Sequence, residues 1–178
     1  MPEPARMHDD PSHTAPPPPL DPEVLERLRR GVPLVLHEGG RWWLGDEPVT
    51  HPGVHQALLA GLDVSERGEP IVALGSQWCY VSVRDTPLRV IAVELEAQPP
   101  RLRLDDGRVV ALELASLVED DDRGLRCTVP SQRSGAALRA RFTNRAQADL
   151  APRLSWDEQA GAAVLTLGAT RHVIPRAG

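Results

Sequence analysis

His51 and His55 stand four residues apart, a spacing that can bring two imidazoles to one helix face and onto a metal ion. His37, with Asp46 or Glu47, is placed to complete such a set, which would make the chain a small metal-dependent or hydrolytic enzyme. Two features argue against it. Pro52 and a cap at Thr50 leave His51 barely helical, and the glutamate of a metalloprotease helix is missing. These histidines therefore read as capping or solvent-facing, and no metal or other cofactor is assigned. Nucleophiles fare no better. Gly75-Ser76 and Ser134-Gly135 are turn dipeptides rather than a G-x-S-x-G elbow, and no Walker loop or G-x-G-x-x-G occurs. Cys79 falls on the apolar side of its strand, where burial raises a thiol pKa and makes it inert.

Two other groups of side chains suit binding better than catalysis. Trp42, Trp43, Trp78 and Tyr80 make up most of an aromatic inventory of only 3%. Side chains alternate along a strand, so Trp78 and Tyr80 share the face opposite Cys79. That face is either covered by a neighbouring element or forms an amphipathic platform. The arginines Arg133, Arg139, Arg141 and Arg145 are the second group. Arg139 and Arg141 share one face of a strand, and Arg145 follows at a helix start. Such arginines are either solvated and paired with neighbouring carboxylates or a grip for an anion.

The elements that must position these residues follow from punctuation and periodicity. Asp21-Pro22 opens a helix with an apolar stripe of Val24, Leu25 and Leu28, ended by Gly31. Strands over 34–37 and 41–44 flank a two-residue turn at Gly39-Gly40. A second helix buries Val54, Leu58, Leu59 and Leu62, and 63–69 is a polar loop. Residues 70–74 and 77–83 form a hairpin around Gly75-Ser76, and 88–95 is a further strand. Asp106-Gly107 is the strongest hairpin signal, joining 101–105 to 108–114. Glu119-Asp120-Asp121-Asp122 is a solvated loop without EF-hand spacing. Strands over 124–129 and 138–143, a helix over 144–150, and a hairpin around Gly168-Ala169 complete the chain. A strand, a helix and a glycine-centred hairpin thus occur twice, in Trp42–Leu44, Gln56–Ala60 and Ile71–Gly75, then in Arg141–Thr143, Gln147–Ala151 and Val164–Gly168. The fold class expected is α+β, two related mainly antiparallel β units with short helices.

The chain divides into a Pro-rich disordered tail (1–20), an N-terminal unit (21–97) and a C-terminal unit (98–178), with the boundary at Gln98-Pro99-Pro100. All 20 basic residues are arginine against 25 acidic ones, a net charge of −5 that repels nucleic acid and anionic membrane. No apolar h-region follows Met1, and no apolar run approaches the ~18 residues of a membrane span. Cys79 and Cys127 lack zinc or redox spacing and read as free thiols in a reducing cytoplasm.

Gly40-Arg41-Trp42-Trp43-Leu44-Gly45 followed by Glu47-Pro48-Val49-Thr50 resembles the D-G-x-W-x-x-x-G-x-P-I segment of the proteobacterial family known as domain of unknown function 1285. Tyr80 to Leu88 is similar to that family's V-E-D-A/T-P-F run, and Leu138 to Thr143 extends the likeness over most of residues 32–174. Arg84 stands where the family has an acidic residue, and Leu88 where it has an aromatic one. The resemblance implies two domains of repeated motifs, a site at their interface and a role in bacterial signal transduction. It supplies no catalytic residues. The function expected is a cytoplasmic binding or regulatory module, more readily non-enzymatic, with its site in the groove between the two units. Trp78, Tyr80, Asp85, Arg139 and Arg141 are its expected lining, for a small anionic ligand or an unidentified protein partner.

Overall fold

The computed structural model describes residues 21–120 and 123–177. The Pro-rich tail and two of the acidic residues after Asp120 lie outside the described residues. Helix α1 (Pro22–Gly31) starts where an aspartate and a proline dictate, Asp21 accepting the Glu23 N–H at 2.8 Å. None of its residues is buried, although Leu25 and Leu28 give it an apolar stripe.

Strands β1 (Leu34–Leu36), β2 (Trp42–Leu44) and β3 (Glu47–Pro48) form an antiparallel meander. The β1–β2 turn is a helical turn over Glu38–Gly40 rather than a two-residue hairpin, with Gly39 and Gly40 both at positive φ (70° and 73°). Helix α2 (Pro52–Ala60) follows. Its cap is His51, whose Nδ1 accepts the amides of Gly53 and Val54, and not Thr50. Leu58 and Leu59 are buried beneath it together with Leu62, but Val54, expected in the same core, is exposed. Strand β4 (Leu62–Val64) occupies the start of the segment expected to be a loop. It pairs with β5 (Pro70–Leu74), which pairs with β6 (Gln77–Tyr80), all antiparallel. The chain then breaks at the buried Val81, and β7 (Ser82–Val83) leaves the meander to run parallel to β1, giving the sheet order β3-β2-β1-β7.

The rest of the chain is built on a larger sheet. Strands β8 (Leu88–Glu94), β9 (Arg101–Leu104), β10 (Val109–Ala111), β11 (Val118–Asp120), β12 (Gly124–Pro130) and β13 (Ala137–Phe142) form a six-stranded sheet in the order β10-β9-β8-β13-β12-β11. Glu119 and Asp120, expected in a loop, thus lie in a strand. β8 runs parallel to β13 and antiparallel to β9, so its hydrogen bonds cross the Gln98-Pro99-Pro100 segment. Helix α3 (Asn144–Leu150) is capped by Thr143, and β14 (Leu154–Asp157), β15 (Ala162–Leu167) and β16 (Thr170–Val173) form a second three-stranded meander. Beyond it Arg176 bridges Glu119 of β11 in parallel. The architecture is α+β, mostly antiparallel with few short helices.

Burial ties both halves into one cluster. Leu36, Trp42, Leu59 and Leu62 from the first half pack into a continuous core with Leu88, Leu104, Phe142, Leu150, Leu165 and Ile174 from the second. Each large aliphatic side chain buried in this way contributes about 1.5–3 kcal/mol, so the two halves share most of what holds either together.

Candidate functional site

The five side chains expected at one site occupy three places. Asp85, in the connection between β7 and β8, meets Arg141 on β13 in a fork. Arg141 Nε and Nη2 donate to the two Asp85 oxygens at 2.7 and 2.5 Å. Arg141 Nη2 also donates to Asp120 at 2.8 Å, and Nη1 donates to the Arg123 carbonyl at 3.1 Å. Arg123 stands 3.6 Å from Asp85 and 3.5 Å from Glu38, and Arg126 stands 3.4 Å from Asp120. Three guanidinium groups therefore face three carboxylates, Glu38, Asp85 and Asp120. The bonds from Asp85 and Asp120 push the Arg141 pKa above its ordinary value, and Arg141 holds the Asp120 carboxyl below the usual carboxylate range. Among the described residues this set is balanced and every Arg141 nitrogen is engaged, which leaves little net pull on an outside anion. Arg139 is exposed on the outer face of β13, opposite Thr128, and forms no ion pair among the described residues.

Two further contacts join the halves nearby. Arg89 Nη2 donates to Asp105 at 2.6 Å, and its guanidinium lies under Gly40, where any Cβ would overlap it. Burial raises the Asp105 pKa against the opposing pull of Arg89. The β12–β13 turn also reaches back to the first half. Ser134 Oγ donates to Asp63 at 2.5 Å, and Arg133 donates to the carbonyls of Ala73 and Gly75. Burial alone would raise the Asp63 pKa, but hydrogen bonds from Ser134, the Val64 amide and Ser131 outweigh it, and the net shift is downward.

Trp78 and Tyr80 share a face, as alternation requires, and pack edge to face at 5.2 Å between ring centroids. Helix α1 covers that face. Arg29 stacks on Trp78 and Arg30 on Tyr80, with guanidinium carbons 4.0 and 3.9 Å from the ring centroids, and the Tyr80 hydroxyl donates to Glu26 at 2.8 Å. Arg30 is further tied to Glu26 and Glu69. The three histidines are also dispersed over local tasks. His51 caps α2, His55 Nε2 bonds the Gly40 carbonyl at 3.0 Å, and His37 packs tilted against Trp43 with ring centroids 5.5 Å apart. Among the described residues no group of three or more His, Cys, Asp or Glu side chains is arranged to hold a metal.

What the sequence did not single out is an apolar groove of about 510 Å³ between α1 and α2, floored by β1, β2, β5 and β6. Leu28 (58% exposed), Leu44 (52%), Leu74 (50%) and Val54 (47%) open onto it, together with Val32. The other exposed large apolar side chains, such as Trp156 and Val173, do not share a groove of this kind with them. Leu25, Leu34, Val49, Leu58 and Val72 complete the walls. The polar groups in the lining are Arg29 and Gln77, with the Cys79 sulfur beside them. Cys79 is half-buried, and burial raises its thiol pKa. The volume and the apolar lining with few polar groups are those of small-molecule sites, which span roughly 300–1,000 Å³. A sequence signal existed in the apolar stripe of α1 and in Val54, but both read equally well as core.

The four- and six-stranded sheets, the two three-stranded meanders and the short helices make up an α+β fold. The chain is similar to a DUF1285 family protein from Silicibacter pomeroyi, with a TM-score of 0.60 at 12% identity over 82% of this chain and 80% of that one. A DUF1285 family protein from Shewanella baltica aligns with a TM-score of 0.48 at 16% identity, over 64% of this chain and 86% of that one. The likeness to the first is one of fold, the DUF1285-like fold that the sequence resemblance implies. No protein-family model matches the chain, and no curated protein does. No helix among the described residues is long and apolar enough to cross a membrane.

Proposed function

We propose that this protein is a non-catalytic binding module built from two related units, with its ligand site in the apolar groove of the first. The observation that carries this reading is the convergence of Leu28, Val32, Leu44, Val54 and Leu74 on one cleft. Exposed apolar side chains scattered singly are ordinary, whereas a concave cluster of them marks a binding surface.

Corresponding contacts support the reading of two units. In each, an antiparallel meander (β1-β2-β3, β11-β12-β13) leads through a capped helix to a three-stranded meander (β4-β5-β6, β14-β15-β16). The following residue then re-enters the first meander's edge in parallel, as β7 on β1 and Arg176 on β11. Caps His51 and Thr143, turn glycines Gly75 and Gly168, and buried exits Val81 and Ile174 match in order. Val81 and Ile174 donate to the equivalent carbonyls of Pro70 and Ala163, at 3.1 and 2.8 Å. This register aligns β2 with β12, and so departs from the short sequence matches that set Trp42–Leu44 against Arg141–Thr143. In this reading the unit boundary falls in the Arg84–Pro87 connection rather than at 97/98.

The same correspondence explains why the groove is open. In the second unit, β8 and β9 lie beyond β13, and Cys127, Phe142 and Leu150 are buried. In the first, β3 is a sheet edge with no strand beyond it among the described residues, and the matching residues Leu44, Val49 and Leu58 line the groove. The paired charges around Arg141 act in this reading as a latch between units. A regulatory role in signalling would follow if a ligand fixed α1 in place, and the free thiols Cys79 and Cys127 accord with a reducing compartment such as the cytoplasm.

The test uses the dye 1-anilinonaphthalene-8-sulfonate, whose fluorescence rises in an apolar site. Saturable binding of one dye per chain, lost in Leu74→Glu with circular dichroism unchanged, is the expected result. Dye binding untouched by Leu74→Glu, or displaced instead by Arg139→Glu, would move the site back to the seam.

A further inference from the structure

We infer that the ligand of this groove is an unbranched aliphatic carboxylate, its chain laid on the leucine and valine walls and its carboxylate held by Arg29. This rests on the proposed groove and specifies what fills it. The walls are aliphatic apart from Trp78, and Trp78 is already covered by the Arg29 guanidinium at 4.0 Å. Among the described residues the lining contains no carboxylate, so a cationic ligand finds no counter-ion in it. It contains one cation. Among the described residues Arg29 forms no ion pair, whereas its neighbour Arg30 is held by Glu26, Glu69 and the ring of Tyr80.

A guanidinium stacked on an indole keeps its N–H edge free, and that edge suits a carboxylate in a two-point hydrogen bond. Gln77, beside Trp78 on β6, adds an amide donor to the lining. A single arginine matches the single charge of a carboxylate. A phosphate monoester carries about −1.5 to −2 and would be left under-neutralised. Cys79 contributes a soft apolar wall, since burial keeps its thiol protonated at neutral pH.

The experiment is isothermal titration of the full chain with the straight-chain acids from hexanoate to dodecanoate, each below its micelle concentration. The matching primary alcohols and alkylammonium ions are titrated in parallel. The expected result is saturable one-to-one binding, with Kd falling about fourfold per added methylene until the groove is filled. At equal chain length the alcohol should bind at least fivefold more weakly and the ammonium more weakly still. Arg29→Gln should remove the advantage of the acid over the alcohol while leaving alcohol binding in place. If acid and alcohol bind wild type equally, or if Arg29→Gln keeps the preference, the carboxylate assignment is overturned and the groove stands. If no member of any series binds, both the assignment and the groove fall.

Discussion

Replacing Arg141 with leucine strips a fork of hydrogen bonds from Asp85, which has little water to turn to, and one bond from the more exposed Asp120. The Arg141 side chain is 14% exposed and that of Asp85 13%, so the pair behaves as a partly buried one. Removing one partner of a fully buried pair costs about 3–5 kcal/mol because the other charge is left desolvated. Here Arg123 stays 3.6 Å from Asp85 and Arg126 stays 3.4 Å from Asp120, which softens the loss. The expected cost is therefore about 2–3 kcal/mol, a fall in Tm of roughly 5–10 °C for a chain of this size. Urea unfolding followed by tryptophan fluorescence measures it. A cycle with Asp85→Asn should give a coupling energy above about 1.5 kcal/mol, within the range of residues that share a network.

The pH dependence has a definite sign. Arg141 lowers the Asp120 pKa from its ordinary 3.8, so this carboxylate stabilises the fold above that value and the contribution is lost as pH falls through the depressed one. The part of the wild-type advantage over Arg141→Leu that comes from Asp120 should hold at neutral pH and close below about pH 4. An Arg141→Leu protein within 0.5 kcal/mol of wild type would refute the reasoning and reduce the network to surface ion pairs.

Other substitutions test the remaining contacts. Ser134→Ala removes the bond to the buried Asp63 carboxylate and should cost about 1.5–3 kcal/mol in the same urea assay. Gly40→Ala meets both a φ of 73° and the Arg89 guanidinium, and should lower stability by at least about 2 kcal/mol. Leu28→Ser should stay within about 0.5 kcal/mol of wild type because Leu28 is exposed, while Leu58→Ala in the adjoining core costs about 2–5 kcal/mol. In a thiol-labelling time course Cys79 should react slowly at neutral pH and faster as pH rises. Cys127, with its pKa pushed up to about 12 by burial, should react only on unfolding. A ligand in the groove should slow Cys79 further.

Local chemistry made much of this fold legible. Asp21-Pro22 marks α1, Asp106-Gly107 the β9–β10 hairpin, and the segment from Asn144 to Leu150 the third helix, because each is decided by a few adjacent residues. β4, β11 and β14 escaped notice. They are three or four residues long, and their strand character comes from partners such as β5, β12 and β15 rather than from alternation. The cap of α2 was misplaced because an imidazole seldom takes a role that the neighbouring threonine fills by default. Trp78 and Tyr80 were correctly placed on one face, but what covers a face depends on where α1 docks. The Asp85–Arg141 fork and the Ser134–Asp63 bond join residues far apart in sequence. The groove was hidden for a related reason. Leu28 and Val54 look like core residues in the sequence, and in the proposed reading their exposure follows from β3 being an edge of the sheet among the described residues.

In the proposed reading, ligand enters between α1 and α2 and not at the seam. Amide chemical-shift mapping of the full chain during titration with decanoate tests it most directly. Shifts concentrated at Leu28, Val32, Val54, Leu74 and Cys79, with Asp85, Arg139 and Arg141 unmoved, are the expected result. Shifts centred on Asp85, Arg139 and Arg141, with α1 and α2 silent, would contradict it.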